Sequence, residues 1–501
     1  MSVTTRHTDY SKYSSKWARC RDAVEGEDAI KKAGEKYLPR LSGQEPKVTA
    51  SQKSSREGIN STGNKDYEAY KSRAFWFNAS ARTVAGLSGL ISRKPPIIKI
   101  PESMKEVVKD ITMSGLTLEE FISQVTDEII TVARGGVLVE YPRVDLSDEL
   151  TLSDVEKMGL RPYWSFYPAE SITNWRTGRV NNKSVLSFVV LKEDYFEEDM
   201  DDEFKQKESE QYRVLDIFEN KYRQRIFRKE RKEWEQYGED IFPLMKNQPI
   251  NFIPFEFLGT SSNSIQIQKS PIQDLVDVNL SHYRTTADLE NGAHWTGVPT
   301  PVFLGEFISD DDDEITEVKL GSTSGINLVA DGDAKFLEFT GQGLEALEKR
   351  AEKKEQMMAV LGARILAQEK KMVESAETAS IHRAGESSIL ASIANSISSV
   401  LTRLLRITRD WSGVNESEEV RIELNTDFIP TKLTAQELTA IVQSWQSGGI
   451  STEELYWNLQ KGEIVQSDKS FDDHQTELES QVPGLGTLDV GKEGNIIVNN
   501  E

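Results

Sequence analysis

The side chains of this 501-residue chain best able to do chemistry are five histidines, one cysteine and a run of acids. His7, His282, His294, His382 and His474 are scattered. None stands in an HExxH spacing or beside a cysteine pair, the patterns that bring zinc ligands together. His282 and His294 share a predicted helix, but their separation in sequence puts them about 18 Å apart along its axis. "GLGTLDVGKEG" sets Gly486, Gly491 and Lys492 at the spacing of a phosphate-binding loop. The next residue would have to be Ser or Thr to hold magnesium, and it is Glu493, whose carboxylate repels phosphate. "DDDDE", from Asp310 to Glu314, lacks the alternating ligands and the glycine of a calcium loop. It reads as a solvated acidic loop or as a docking surface for a basic partner. No Ser-His-Asp or Cys-His set can be assembled. The expectation is no cofactor, no metal and no enzyme.

An apolar fraction of 37% can fill real cores, and the length suits two to four lobes. A net charge of −22 argues against coating DNA by basic attraction, though not against surrounding it without gripping. Cys20, the only cysteine, excludes an intrachain disulfide and reads as an inert helix residue in a reducing compartment. "MSVTTRHTDYSKYSSKW" has no apolar signal core, and no run approaches the roughly 20 apolar residues of a membrane span. Neither secretion nor a membrane is expected.

These residues must be positioned by an α+β chain. Helical spacing runs from Trp17 to about Leu38, then through "DYEAYKSRAFWFNASARTVAGLSGLI" as one long amphipathic helix. "TLEEFISQVTDEIITVARGG" is a further helix, with Gly135 and Gly136 as its expected stop before the strand "VLVEYP". From Pro162 to Leu258 the pattern is β-rich, and the charge-dense "EEDMDDEFKQKESE" reads as a solvated hairpin tip. Two long helices follow, opening at "SPIQDLVDV" and "GLEALEKRAEKK", with a β-rich insert between them. The polar "QEKKMVESAET" then precedes a long helix to Trp411. "TAQELTAIVQSWQSGGISTEELYWNLQKGEI" reads as two helices around a Gly-Gly turn, and the chain after Val465 as a loose tail.

"SSILASIANSISSV", residues 387–400, is the odd part of that long helix. Ile389, Ile393, Ile397 and Val400, then Leu404 and Ile407, make one aliphatic stripe. The opposite face carries Ser, Ala and Asn where a surface helix carries Lys and Glu. Ser388, Ala391, Ala394, Asn395 and Ser398 are therefore expected to lie against a second copy, in head-to-tail rings. The alternative is a helix held wholly within one large core.

The order of these elements resembles that of tailed-bacteriophage portal proteins, in particular a group described as a phage domain of uncharacterised function. The resemblance is carried by "AGEKYLPRL", "YKSRAFWFNASARTVAGLSGLISRKPPI", "ARGGVLVEYPR", "RPYWSFYPAESITNW", "IPFEFLG", "YRTTADLENGAHWTGVPTPVF", "GINLVADGDAKFLEFTGQGL" and "ETASIHRAGESSILASIANSISSVLTRLLR". These span about residues 33–411.

The resemblance implies a portal-like layout. Residues 1–270 would form an α/β wing, 271–296 and 343–366 a two-helix stem, and 297–342 a small β-rich clip. Residues 367–378 would be a tunnel loop, 379–411 a long wing or crown helix, and 412–465 a wing strand and helical crown. A flexible tail would occupy 466–501. It further implies a virion ring of twelve copies around double-stranded DNA, assembled in the host cytoplasm beside major capsid and scaffolding proteins. A separate terminase large subunit would drive the DNA, and a head–tail adaptor would dock on the ring. Gln368, Glu369, Lys370, Lys371, Met372 and Glu374 would face the DNA. Asp310, Asp311, Asp312 and Asp313 would offer the clip's docking surface. The rival readings are another head-morphogenesis or adaptor protein, or a carboxylate-dependent enzyme with acids converging in a cleft.

Overall fold

The structure, a computed structural model, describes residues 2–44, 62–142, 158–180, 182–198, 204, 206–231, 233–261, 265–297, 300–304, 333–337, 342–366, 376–415, 417–426, 428, 435–462, 464–465 and 470–480. The N-terminal helices are α1 (Thr8–Glu25), α2 (Glu27–Ala33), α3 (Thr62–Arg73) and α4 (Ala79–Ile91). Two of the breaks between them were not expected. Gly26, at φ 112°, separates α1 from α2. Residues 74–78 separate α3 from α4, where one continuous helix was expected. The cause is long-range: Trp76 turns inward to meet Tyr283 edge-on at 5.9 Å, and the Thr286 hydroxyl donates to the Phe75 carbonyl. Asn78 then caps α4 by accepting from Ala81 N–H.

After β1 (Ile97–Lys99) and the short α5 (Lys105–Lys109) comes α6 (Leu118–Val132). A reciprocal capping box of Thr117 and Glu120 starts α6. Its stop is Ala133, in the left-handed region at φ 59°, with its N–H on the Ile129 carbonyl. Gly135 and Gly136 are thus not the stop. They open β2 (Gly135–Glu140), the buried middle strand between β3 (Tyr163–Pro168) and β11 (Phe255–Leu258). Their lack of a side chain serves packing: a Cβ on Gly136 would sit 2.1 Å from Phe255 Cζ.

The β-rich part is an antiparallel meander of β4 (Ile172–Val180), β5 (Lys183–Glu198), β6 (Gln206–Phe218), β7 (Lys221–Glu230) and β8 (Glu233–Ile241). Pairs as short as β9 (Leu244–Met245) with β10 (Gln248–Pro249) complete it. The β5–β6 ladder runs out to Glu198 opposite Gln206, so much of the charged run expected as a tip is strand. Arg213 fastens the meander to the three-stranded sheet through Glu140 and Glu193, the latter at 2.8 Å. Tyr167 and Gln211 also donate to Glu193, so no member of the cluster is left as a lone buried charge. On the far side Arg21 of α1 grips Glu128 of α6 and Glu170.

The long helices are α7 (Gln273–Gly297), α8 (Gln342–Leu366) and α9 (Ala376–Trp411), and between α7 and α8 stand β12 (Thr300–Leu304) and β13 (Asp333–Leu337), paired antiparallel. β14 (Arg421–Glu423) returns to pair with β1. Then follow α10 (Ala435–Gln446), α11 (Thr452–Lys461) and α12 (Phe471–Ser480). The last was expected to be part of a loose tail. It is a helix, with Phe471 and His474 against Tyr456 at 5.4 and 5.0 Å. The fold is α+β. All described ladders are antiparallel, so the N-terminal part is α+β as well, in place of the α/β wing expected.

A helical hairpin and a buried long helix as candidate functional site

α7 is two things in one helix. Leu275, Val276, Asn279, Leu280, His282, Tyr283 and Ala287 are buried in the body. From Asp288 onward the side chains are exposed or half-buried, with Trp295 at 57%. Tyr70 of α3 donates to Asp288 at 2.7 Å and Arg73 to Asn291 at 3.5 Å, and α8 runs beside this half as well. Gly292 permits the close approach, since a Cβ there would meet Leu344 at 2.7 Å. Lower down, Lys354 donates to the Ser281 carbonyl at 2.8 Å and to the Thr285 hydroxyl. Burial holds the Lys354 amine below its ordinary pKa. His282 Nε2 lies 3.1 Å from Glu355, and burial pushes the imidazole down, so it stays neutral and donates to that carboxylate. α8 buries only one stripe, including Ala351 and Met358, and is exposed elsewhere.

α9 resolves the puzzle of the serine face. Leu390, Ile393, Ala394, Ile397, Val400, Leu401, Leu404 and Leu405 are all buried. Ile389, expected in the stripe, is 52% exposed, and Leu390 takes its place. The small polar residues bond within the chain. Ser396 donates to the Gly259 carbonyl at 3.0 Å, and Trp164 Nε1 donates to Thr408 at 2.8 Å. Ser398 accepts from Leu424 N–H, and Thr402 from Ile422 N–H, each at 3.0 Å. The match is geometric: four residues of helix rise about 6.0 Å, and two of strand about 6.6–6.8 Å. Two hydroxyls of α9 therefore satisfy the edge of β14 that β1 leaves open. Losing either hydroxyl orphans a buried N–H, at about 1–3 kcal/mol.

The expected interface residues thus divide. Ala394 is fully buried and Ser398 is 8% exposed, so neither offers its side chain to a second copy. Ala391 is half-buried against the core, and Asn395 is exposed. Ser388 belongs to α9, but its side chain lies outside the described residues. So do the whole of Gln368, Glu369, Lys370, Lys371, Met372 and Glu374, and of Asp310, Asp311, Asp312 and Asp313. Besides Ile389, α9 shows Asn395, Ser399 and Arg406 to solvent, and these three line a groove with Arg403 and Arg421.

Acids do meet in one cleft, which Glu140, Glu239, Asp240, Tyr163, Arg213 and Trp411 line. Glu140 is taken by Arg213 and by the Ser165 hydroxyl, and Asp240 by Arg223 at 2.8 Å. A hydrogen bond from Gln236, together with Arg223, holds Asp240 below its ordinary pKa. A general acid needs the opposite shift. Among the described residues no group of three His, Cys, Asp or Glu could hold a metal, and no helix is long and apolar enough to cross a membrane. The Cys20 thiol is buried and pushed up to about 11 by desolvation.

Sequence spacing pointed to the hairpin and to α9, but not to the serine-to-strand bonds. Those needed β14, which is short and distant in sequence. The only local signal was the Ser398–Thr402 repeat at helical spacing.

Residues 271–412, which comprise α7, the β12–β13 pair, α8 and α9, match a family described as a domain of unknown function (DUF4055). No curated protein matches the chain. Among solved structures, it is similar to a chain in the virion of a native gene transfer agent (GTA) particle, with TM-score 0.35, 10% identity, and 77% of this chain and 91% of that chain covered. A chain in the neck of the empty GTA particle, computed with C6 symmetry, aligns with TM-score 0.36 and 10% identity over 75% of this chain and 88% of that one. One in the neck of the native particle, computed with C12 symmetry, aligns with TM-score 0.35 and 9% identity over 76% and 89%. Superpositions this loose carry no functional weight. The firm similarity is to the family that spans the hairpin and the long helix.

Proposed function

We propose that this protein is a phage portal subunit: a head–tail connector that closes into a ring at one capsid vertex, without catalysis of its own. The observation that carries this reading is the α7–α8 hairpin. Its base is buried in the body, its far half is exposed or half-buried beyond the α3 contacts at Asp288 and Asn291, and a β pair follows at its end. A hairpin with one face of α8 unpartnered suits a ring of copies, in which the next subunit can cover that face. The sequence resemblance to portal proteins over residues 33–411 supports the same order of stem, clip and long helix. On this reading a terminase large subunit drives double-stranded DNA through the channel, and the acidic balance keeps the duplex mobile. Sedimentation velocity of the purified chain should find a closed oligomer, with rings in negative stain. A monomer at all concentrations would refute the proposal.

The β12–β13 end is, on the same reading, the clip on which the head–tail adaptor docks, with Asp310–Asp313 meeting a basic partner. Replacing residues 298–341 by a short Gly-Ser linker should leave assembly intact and abolish adaptor capture in a pull-down. Undiminished capture would remove the assignment. The adaptor and head-morphogenesis alternative lacks a reason for the hairpin. The enzyme alternative lacks a free carboxylate pair in the cleft described above.

A further inference from the structure

α8 sorts its charges by side. At 3.6 residues per turn its exposed acids Glu345, Glu348, Glu352 and Glu355 fall on one flank. Lys349, Arg350 and Lys353 fall on another, about 120° away, in line with Ala346, Met357 and Val360. Met357 and Val360 are 46% and 42% exposed, so this basic flank ends in an uncovered apolar patch. Of these residues, Glu345 pairs with Lys349 at 2.6 Å and Glu355 meets His282. The sorting works against the lone helix. Glu348–Glu352, Lys349–Lys353 and Arg350–Lys354 are like-charged neighbours at i,i+4, each costing a few tenths of a kcal/mol. Such an arrangement gains from a partner that offers the complementary flank.

We infer that α8 is the key by which copies of this chain recognise each other: the acidic flank of one copy meets the basic, apolar-ended flank of the next. A two-fold contact can also set the acidic flank of each copy on the basic flank of the other, so charge alone leaves the symmetry open and the ring reading selects the head-to-tail contact. A head-to-tail contact between parallel copies sets opposite charges together at each interface and fixes the direction in which the ring is built. The inference rests on the ring reading above and adds the surface that makes the ring one-way. A basic strip also suits duplex DNA, but its apolar end and acidic neighbouring flank favour protein.

Two charge-reversed chains test it by sedimentation velocity. One carries Lys349→Glu, Arg350→Glu and Lys353→Glu, the other Glu345→Lys, Glu348→Lys and Glu352→Lys. Each alone should lose assembly, while circular dichroism and melting temperature match the unaltered chain. Assembly should return when the two are mixed in equal amounts, as alternating copies, or when one chain carries all six changes. Recovery in either arm supports the inference, and failure of both overturns it. Normal assembly by either three-site chain also overturns it, leaving the ring reading standing. If those rings assemble but retain less DNA, the strip belongs to the duplex and the inference falls. An unaltered chain that never assembles sinks the ring reading and the inference together.

Discussion

Gly136→Val is expected to destabilise the chain by at least about 3 kcal/mol, a fall of about 3 °C in melting temperature for 501 residues unfolding as one unit and more if the lobes melt separately. The added Cβ would lie 2.1 Å from Phe255 Cζ, 2.8 Å from its Cε1 and 3.0 Å from Ile172 Cδ1. The ring cannot swing aside freely. Phe255 is 4% exposed, edge-on to Phe257 at 5.0 Å, and Gly136 lies in a middle strand paired on both edges. Two controls give the scale. A Cβ at Gly135 meets Phe166 at 3.3 Å, a contact that small shifts relieve, so Gly135→Ala should cost about 1 kcal/mol. Gly297 has nothing within 4 Å, and Gly297→Ala should stay within about 0.5 kcal/mol of neutral. Adding Phe255→Ala to Gly136→Val should cost less than the two changes summed, because they share one clash. If the pair were only a helix stop, Gly135 and Gly136 would respond alike. Thermal melting of the series decides.

The second large effect concerns the segment expected as the tunnel loop, residues 367–378, of which 376–378 are instead the first residues of α9. Gln368, Glu369, Lys370, Lys371, Met372 and Glu374 mix charges and carry no apolar stripe. They join α8, whose inner stripe is committed to α7, to α9, which is buried in the body from Leu390 on along its aliphatic face. In a ring every copy of such a connection stands at one height. Lys370 and Lys371 then allow weak, reversible phosphate contact, unlike the tight hold of a lysine-rich loop. Changing Lys370→Glu with Lys371→Glu should leave ring formation and melting temperature unchanged. Filled, infectious particles should fall by orders of magnitude, because on the tunnel-loop reading like charge beside the duplex opposes it. Unchanged yields of filled particles would make the segment a plain connector.

Element order was legible in the sequence because periodicity is local. α6, α7, α8 and α9 follow from apolar spacing. β4 and β8 passed unnoticed as strands. β4 buries Trp175 but ends in polar residues, and the outer strand β8 is mostly exposed, so neither alternates cleanly. α12 was hidden by its acidic composition and shows itself only through Tyr456.

What the sequence by itself determined is the order of the long helices, the lack of a recognisable catalytic motif and the helix–β–helix arrangement of residues 271–366. Which faces meet was decided only in three dimensions. Trp76 breaks a helix because Tyr283, distant in sequence, lies beside it, and Gly136 is small because Phe255 crosses it. Ser398 looked like a residue for a second copy, and it binds Leu424 of its own chain. A small polar residue carries the same local signal whether it packs between copies or bonds to a strand inside one. Periodicity reports that a face is not solvent; only the partner's position says what covers it.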